Sequence, residues 1–174
     1  KYCIAVGRLV SLKQFDQLIE AYAKSNLPTE NIHLVILGDG EEKERLQIQI
    51  EQLQLNEFIH LLGFKEQVFC YIQHAEFLVL SSKYEGFSMV ILEALSLSTP
   101  VVSFDCEAGP RELVQHEYNG LLVDNQNFEA LTKALNAIID NKVLYTFCKS
   151  NAKASVIEFS SGTVASKWLH LLNH

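Results

Sequence analysis

Several patterns that identify common classes of protein are missing from this 174-residue sequence. The four cysteines (Cys3, Cys70, Cys106 and Cys148) are scattered without a C-x-x-C pair, so we expect reduced thiols rather than a disulfide framework. No apolar run approaches the ~18 residues that a membrane-spanning helix requires. Acidic residues (21) outnumber lysine and arginine (14), and the resulting net charge of −7 argues against a nucleic-acid-binding surface.

Familiar catalytic signatures are missing as well. The histidines show neither metal-ligand spacing nor an H-E-x-x-H motif, so we expect ordinary surface or core residues at His33, His60, His74, His116, His170 and His174. Ser88 follows Gly86-Phe87 but does not lie in a G-x-S-x-G elbow, which leaves a hydrolase triad without an anchor. No G-x-G-x-x-G fingerprint supports ordinary dinucleotide binding.

Short apolar segments alternate with segments of helical periodicity along the chain. The pattern predicts strands at 3–6, 33–37, 58–62, 77–80, 101–104 and 120–123. It predicts helices at 12–24, 41–53, 66–73, 88–97, 110–115, 128–139, 142–157 and 162–172. Strands that alternate with helices and are apolar throughout indicate a parallel sheet covered on both faces. The sequence therefore predicts an α/β fold, a Rossmann-like doubly wound parallel sheet of about six strands with extra C-terminal helices.

Polar and glycine residues follow several of these strands, where doubly wound sheets bind their ligands. Gly7-Arg8 follows the first strand, with Lys13 shortly after, and both cations suit phosphate oxygens. A solvated loop explains the two cations equally well at this stage. Residues 38–40, Gly-Asp-Gly, are typical of a plain strand-to-helix turn. Likewise, Gly109-Pro110-Arg111-Glu112 fits either helix initiation or a place beside a ligand.

Glu85 and Glu93 form a Glu-x7-Glu pattern that begins just after an apolar strand. The order is a strand, a loop with Glu85 and Gly86, then a helix carrying Glu93 in its early turns. A helix N-terminus binds anions, whereas an ionised carboxylate accepts hydrogen bonds from hydroxyls. Phosphate beside sugar hydroxyls describes a sugar nucleotide. The alternative is that both carboxylates are ordinary capping or core groups.

Residues 75–103 closely resemble the donor-binding signature of glycosyltransferase family 4 (group 1). Further matches occur in order at Gly7-Arg8 with Lys13, at 37–40, at Gly63-Phe64 and at 119–123. The resemblance implies the GT-B fold, in which two Rossmann-like domains face a cleft. It identifies residues 1–174 as the C-terminal donor-binding domain, without the N-terminal acceptor domain. The chain begins inside a strand pattern without methionine, so we expect an excised domain that is inactive alone.

The resemblance also implies roles for individual residues. Catalytic roles fall to Glu85, which holds the transferred hexose, and to Arg8 and Lys13, which neutralise the diphosphate leaving group. Because these cations stabilise the developing charge and no D-x-D-like cluster is present, no metal or other cofactor is expected. Glu93 is expected to bind the ribose hydroxyls. The remaining implied donor-binding residues are Gly7, Gly38, Gly63, Phe64, Gly86, Phe87 and Ser88.

Residues 104–112 look most like bacterial enzymes that build lipopolysaccharide or other surface glycans. The resemblance therefore implies retaining transfer from a UDP-hexose or UDP-N-acetylhexosamine to a glycan or lipid-linked acceptor, bound through the missing domain. It places the full-length protein in the cytoplasm or at the cytoplasmic face of the inner membrane, with peripheral membrane association allowed and no nucleic-acid partner. Two alternatives stay open, a GT-B-like nucleotide-sugar epimerase and a non-catalytic flavodoxin-like binding module. Arg8 and Lys13 argue against the second, which would need an acidic cluster.

Overall fold

A single parallel sheet forms the centre of the molecule. The structure, a computed structural model, describes residues 1–172. The strands are β1 (Tyr2–Val6), β2 (His33–Leu37), β3 (Ile59–Gly63), β4 (Leu78–Leu80), β5 (Val101–Phe104) and β6 (Gly120–Val123). They lie in the order β3-β2-β1-β4-β5-β6, and every pairing between neighbours is parallel. The predicted six-stranded, doubly wound sheet is confirmed.

The strand order reverses between β1 and β4. These two strands share the pairing of Ile4 with Leu78, whereas β1 and β2 pair along their whole length from Tyr2 to Val6. At such a reversal the connections leave the sheet in opposite directions, and a crevice opens at the carboxyl ends of the two central strands. The loops after β1 and β4 therefore border the crevice in which doubly wound folds bind their ligands.

Eight α-helices surround the sheet in the described part of the chain. They are α1 (Phe15–Ala23), α2 (Lys43–Gln52), α3 (Val68–His74), α4 (Met89–Ser96), α5 (Pro110–Leu113), α6 (Phe128–Asp140), α7 (Lys142–Ser155) and α8 (Ser161–Leu172). Short 3₁₀ turns occur at Ser11–Lys13 and Ile157–Phe159. Each predicted helix is present, although most helix ends shift by one or two residues.

The predicted continuous helix at 12–24 is wrong in its first turn. Residues Ser11–Lys13 form the 3₁₀ turn, and Gln14 then adopts a left-handed conformation with φ of 51° before α1 begins. A left-handed residue interrupts the repeating hydrogen bonds of a right-handed helix. The break matters for function, because it places Lys13 in the short 3₁₀ turn after β1 instead of on the side of α1.

Two hydrophobic layers cover the two faces of the sheet. Cys3 and Ala5 of β1 point into one layer and Ile4 into the other, as the alternation of a strand requires. The first layer includes buried side chains from α1, α2 and α6, and the second includes side chains from α4 and α7. Burial on both faces explains why the strands are apolar throughout instead of alternately.

Three of the four cysteines are buried, Cys70 is exposed, and all four are unpaired, as the sequence predicts. Two histidines, His33 and His60, contact each other with 2.9 Å between Nδ1 and Nε2. Within residues 1–172, no group of three or more His, Cys, Asp or Glu side chains is arranged to hold a metal ion. His174 lies outside the described residues.

The last helix, α8, contributes no buried residue to either layer. Its exposed side chains include Trp168 and Leu172. Among the described helices, none combines the length and apolar character needed to cross a membrane.

Candidate functional site

The loops that follow β1 and β4 are tied together at the crevice. The Ser81 hydroxyl donates a hydrogen bond of 2.9 Å to the carbonyl of Lys13. The backbone N–H of Lys83 donates to the carbonyl of Leu12 at 3.0 Å. Residues far apart in the sequence therefore form one wall of the crevice, and the position of Lys13 depends on the loop after β4.

Lys13 and Glu85 form an ion pair across this junction. The Lys13 Nζ atom lies 2.6 Å from Glu85 Oε1, and the side chains are only 21% and 9% exposed. The Lys13 stem runs along Gly7, since a Cβ atom added to Gly7 would lie 3.3 Å from Lys13 Cε. The sequence predicted separate ligand contacts for these two residues. The structure brings them together, which the sequence pattern did not reveal.

Arg8 differs from Lys13 in its surroundings. Its side chain is exposed and, within residues 1–172, makes no ion pair. It lines a cavity of about 500 Å³ together with the predicted residues Gly7, Gly38 and Phe64. The ring of Phe64 is 74% exposed, so it offers an apolar face to a ligand. Arg8 is therefore free to bind an anion without first leaving another partner.

Other residues of this cavity were missed by sequence reasoning. They are Val6, Leu37, Asp39, Lys65 and Val68. Lys65 directly follows the Gly63-Phe64 motif and could have been found by extending that motif by one residue. Gly63 does not line the cavity, but its carbonyl accepts a 3.0 Å hydrogen bond from the N–H of Gly38. Gly63 thus supports the cavity through the backbone.

Gly38 allows the ends of β1 and β2 to approach closely. Its φ is +142°, and an added Cβ atom would lie 1.8 Å from the carbonyl oxygen of Gly7. No side chain fits this space without a shift of the backbone. The next residue, Asp39, accepts a 2.9 Å hydrogen bond from the N–H of Gly40 through Oδ1. The structural interpretation of this segment as a turn therefore holds, and the turn also forms part of the cavity wall.

The N-terminus of α4 has the geometry of an anion site. Ser88 precedes the helix in a left-handed conformation, with φ of 56°. Its hydroxyl is buried and has no hydrogen-bond partner among the described residues. The first-turn amides of Met89 and Val90 have no acceptor inside the helix, as at any helix start. A buried unpaired hydroxyl beside free amides is an arrangement that a bound oxyanion would satisfy.

The loop ahead of α4 is open on one side and supported on the other. An atom added at Gly86 would meet nothing within 4 Å, so a ligand can approach its backbone. Behind the loop lies Gly109, with φ of +60°, where an added Cβ atom would sit 2.2 Å from the Gly86 carbonyl oxygen. The Phe87 ring instead packs edge-on against Phe159, with 5.4 Å between centroids. Phe87 therefore presents its backbone to the crevice more readily than its side chain.

Glu93 lies one turn further along α4, in a different depression. It lines a groove of about 290 Å³ between α4 and the C-terminal turn, with Ser96, Lys153 and Phe159 among its neighbours. The carboxylate has no hydrogen bond or ion pair with the part of the chain that the structure describes. Burial without a partner raises the pKa of Glu93 above its usual value. The structure places Glu93 on the same helix as the anion site but outside the Arg8 cavity.

Two further residues of the crevice have structural partners. The buried Cys106 thiol donates to the carbonyl of Ser82 at 3.4 Å, and burial together with the nearby Glu85 carboxylate raises its pKa to about 11. Arg111 makes two hydrogen bonds to Asp105, at 2.8 and 3.0 Å. The Asp105 carboxylate also raises the pKa of Arg111. The chain itself thus neutralises Arg111, and Pro110 starts α5, which favours the helix-initiation interpretation.

The sheet reversal, the cations Arg8 and Lys13 and the α4 N-terminus all lie at the carboxyl edge of the sheet, and cations beside free helix amides are groups that attract anions. Residues 1–155 match the family model described as glycosyl transferases group 1. The chain belongs to this family. The prediction from the Glu-x7-Glu pattern and its companion motifs is therefore confirmed at the level of the family.

Curated relatives of this group 1 glycosyltransferase chain include bacterial surface-glycan enzymes. The N-acetylgalactosamine-N,N'-diacetylbacillosaminyl-diphospho-undecaprenol 4-alpha-N-acetylgalactosaminyltransferase of Campylobacter jejuni is 36% identical over 172 residues, covering 99% of this chain and 46% of the relative. The lipopolysaccharide core biosynthesis glycosyltransferase LpsE of Rhizobium meliloti is 32% identical, covering 97% and 48%. The chain spans about half the length of the curated relatives it matches.

Solved structures that contain UDP or UDP-glucose share the fold. Anabaena Alr3699/HepE in complex with UDP superimposes with a TM-score of 0.90 at 26% identity, covering 99% of this chain and 48% of that one. The same protein in complex with UDP-glucose gives a TM-score of 0.88. The group 1 chain described here therefore has the architecture of a part of HepE, a protein whose structure is known with UDP and with UDP-glucose.

Proposed function

We propose that this chain is the C-terminal, donor-binding domain of a retaining glycosyltransferase of family 4. The observation that carries the proposal is the α4 N-terminus, where the buried Ser88 hydroxyl lacks a partner among the described residues, at the same strand ends as the cations Arg8 and Lys13. A diphosphate would satisfy the hydroxyl, the free amides and the cations together.

The proposed chemistry centres on the leaving group. When the bond between the sugar and the diphosphate breaks, negative charge grows on the phosphate oxygens. Arg8 and Lys13, which both follow β1 at the carboxyl end of the sheet, stabilise that charge. Transfer is then metal-independent, because protein cations and helix amides occupy the role that a metal ion has in other phosphate enzymes.

The two glutamates bind different hydroxyl groups of the donor. Glu85 accepts hydrogen bonds from the transferred hexose and orients its anomeric carbon, while Glu93 accepts those of the ribose. The exposed Phe64 borders the base in the cavity that Arg8 lines. The sugar keeps its anomeric configuration, and Glu85 acts as a positioning group for the hexose instead of a covalent nucleophile.

UDP is the proposed nucleotide, since the solved relative HepE is described with UDP and with UDP-glucose. A UDP-hexose or UDP-N-acetylhexosamine is then the donor. The acceptor is a surface glycan or a lipid-linked glycan, as the names of the Campylobacter and Rhizobium relatives indicate for those proteins. In this proposal an N-terminal domain outside these residues holds most of the acceptor, and the complete enzyme acts in the cytoplasm or at its membrane face.

Isothermal titration calorimetry of this chain tests the proposal. We expect binding of UDP, UDP-glucose and UDP-N-acetylglucosamine in the presence of EDTA, and no binding of FMN or acetyl phosphate. Binding of FMN or acetyl phosphate in place of UDP would support the flavodoxin-like module. Loss of UDP binding in EDTA, with recovery on adding Mg²⁺, would contradict the metal-independent site.

A further inference from the structure

Lys13 and Glu85 form a closed ion pair at the junction of the two loops. Lys13 Nζ lies 2.6 Å from Glu85 Oε1, and the Glu85 side chain is only 9% exposed. Among the described residues, Lys13 is the one hydrogen-bond partner of the Glu85 carboxylate. Lys13 therefore differs from Arg8, because its charge is neutralised by a carboxylate of the chain itself.

Neither member of the pair can easily move away. The Lys13 stem lies against Gly7, and the Lys13 carbonyl is held by the Ser81 hydroxyl. Glu85 stands in the loop whose next residues, Gly86 and Phe87, are supported from behind by Gly109. A diphosphate that reaches Lys13 must consequently share the ammonium group with Glu85 or displace it.

Both outcomes are unfavourable for a nucleotide without a sugar. Sharing places a carboxylate next to a phosphate, and like charges at short range repel. Displacement leaves a buried carboxylate with neither water nor a cation, which is strongly destabilising. An attached hexose changes this balance, since its hydroxyls donate hydrogen bonds to the carboxylate that Lys13 has partly released.

We propose that the Lys13–Glu85 pair makes the site discriminate between a UDP-sugar and free UDP. The inference rests on the proposed function and assigns to Glu85 a second task, that of competing with the diphosphate for Lys13. Once the hexose has passed to the acceptor, Glu85 loses its hydroxyl partners and pairs with Lys13 again, which weakens the hold on UDP. The pair thereby favours donor entry and product release at one position.

Calorimetric affinities of this chain for UDP and UDP-glucose test the inference. Glu85→Gln removes the competitor, so UDP should bind at least about fivefold more tightly, which is the upper end of the range for exposed ion pairs. UDP-glucose should bind more weakly to the same variant, and the ratio of the two affinities should collapse. The double variant Lys13→Met/Glu85→Gln should not bind UDP more tightly than the unaltered chain does, because the tighter binding expected for Glu85→Gln depends on Lys13.

The matched control is Glu129→Gln, which removes the carboxylate of an exposed ion pair with Lys133 on α6 at 2.8 Å. Its affinities should equal those of the unaltered chain. If Glu85→Gln leaves UDP affinity unchanged or lowers it, the inference is overturned while the proposed function stands. If the unaltered chain binds neither ligand, the proposed function itself fails.

A second variant covers the case in which Glu85→Gln does not fold, as judged by circular dichroism. Glu85→Asp keeps the charge but shortens the side chain by one methylene, which lengthens the contact with Lys13. UDP should then bind more tightly than to the unaltered chain, by less than the gain expected for glutamine. Unchanged UDP affinity in a folded Glu85→Asp variant would also overturn the inference.

Discussion

At the scale of single residues, Arg8 and Lys13 are both cations at the end of β1, but they differ in how available they are. Arg8 is exposed and without an ion pair among the described residues, whereas Lys13 is bound to Glu85. The sequence motif predicted the same role for both residues, which was to neutralise the diphosphate. It could not separate them, because the pairing depends on a contact between residues 72 positions apart.

Arg8→Ala should therefore weaken UDP binding strongly. Loss of a charge-assisted hydrogen bond to phosphate corresponds to roughly 1.5–3 kcal/mol. Uridine, which has no phosphate, should bind equally to both proteins, and calorimetry with the two ligands measures the difference. Arg45→Ala is the control, since Arg45 of α2 is paired with Asp16 of α1 and with Glu42, the residue before α2. Equal weakening for uridine and UDP would place Arg8 elsewhere than at the diphosphate.

Glu93→Gln should raise the stability of the fold and weaken the binding of the nucleotide. The folded-state pKa of Glu93 is raised by burial, so the folded protein favours the protonated form and loses stability as the pH rises through that pKa. Glu93→Gln removes the ionisable group. The variant should therefore melt at a higher temperature than the unaltered chain at about pH 7, and the difference should shrink near pH 4.

The same variant should bind UDP and UDP-glucose more weakly by a similar factor, because both ligands contain the ribose. Thermal unfolding at about pH 7 and about pH 4 measures the effect on stability. Calorimetry at about pH 7 measures the effect on ligand affinity. A melting difference that grows towards acidic pH would contradict the assignment of burial as the cause. Unchanged affinity for both ligands would remove Glu93 from the ribose site.

At the scale of secondary-structure elements, the short helix α5 supports the loop ahead of α4. Gly109→Ala should destabilise the fold by roughly 1–3 kcal/mol, since it combines a positive φ with a collision against the Gly86 backbone. UDP binding should fall as well, because the loop must move. Chemical denaturation and calorimetry measure the two effects.

Gly162→Ala provides the matched control for this element. Gly162 lies in α8, where an added Cβ atom meets nothing within 4 Å, and alanine favours a helix over glycine by about 1 kcal/mol. This variant should be as stable as the unaltered chain or slightly more so, with unchanged UDP affinity. A Gly109→Ala variant that behaves in the same way would show that α5 does not hold the loop.

The elements also show how far the sequence predicts the fold. Continuous apolar segments and helical periodicity are local signals, and they located the six strands and the surrounding helices. The left-handed conformation of Gln14 escaped prediction, because glutamine gives no local sign of it. The partners of Cys106 and the cavity position of Lys65 also escaped, since both depend on how loops meet after the sheet has assembled.

At the scale of the whole molecule, one sheet brings the crevice residues to its carboxyl edge, and the family match covers residues 1–155. We expect this chain to bind the donor but not to transfer sugar by itself. Incubation with UDP-glucose and a lipid-linked acceptor should release no UDP above the rate seen without protein. Transfer by this chain alone would refute the proposal that a second domain is needed.

The most direct test of the central claim is a crystal structure of this chain with UDP. We expect the diphosphate to lie within hydrogen-bonding distance of the Arg8 guanidinium and the first amides of α4, with the Ser88 hydroxyl satisfied. A diphosphate bound away from the carboxyl ends of β1 and β4, with Ser88 still unpaired, would contradict the account.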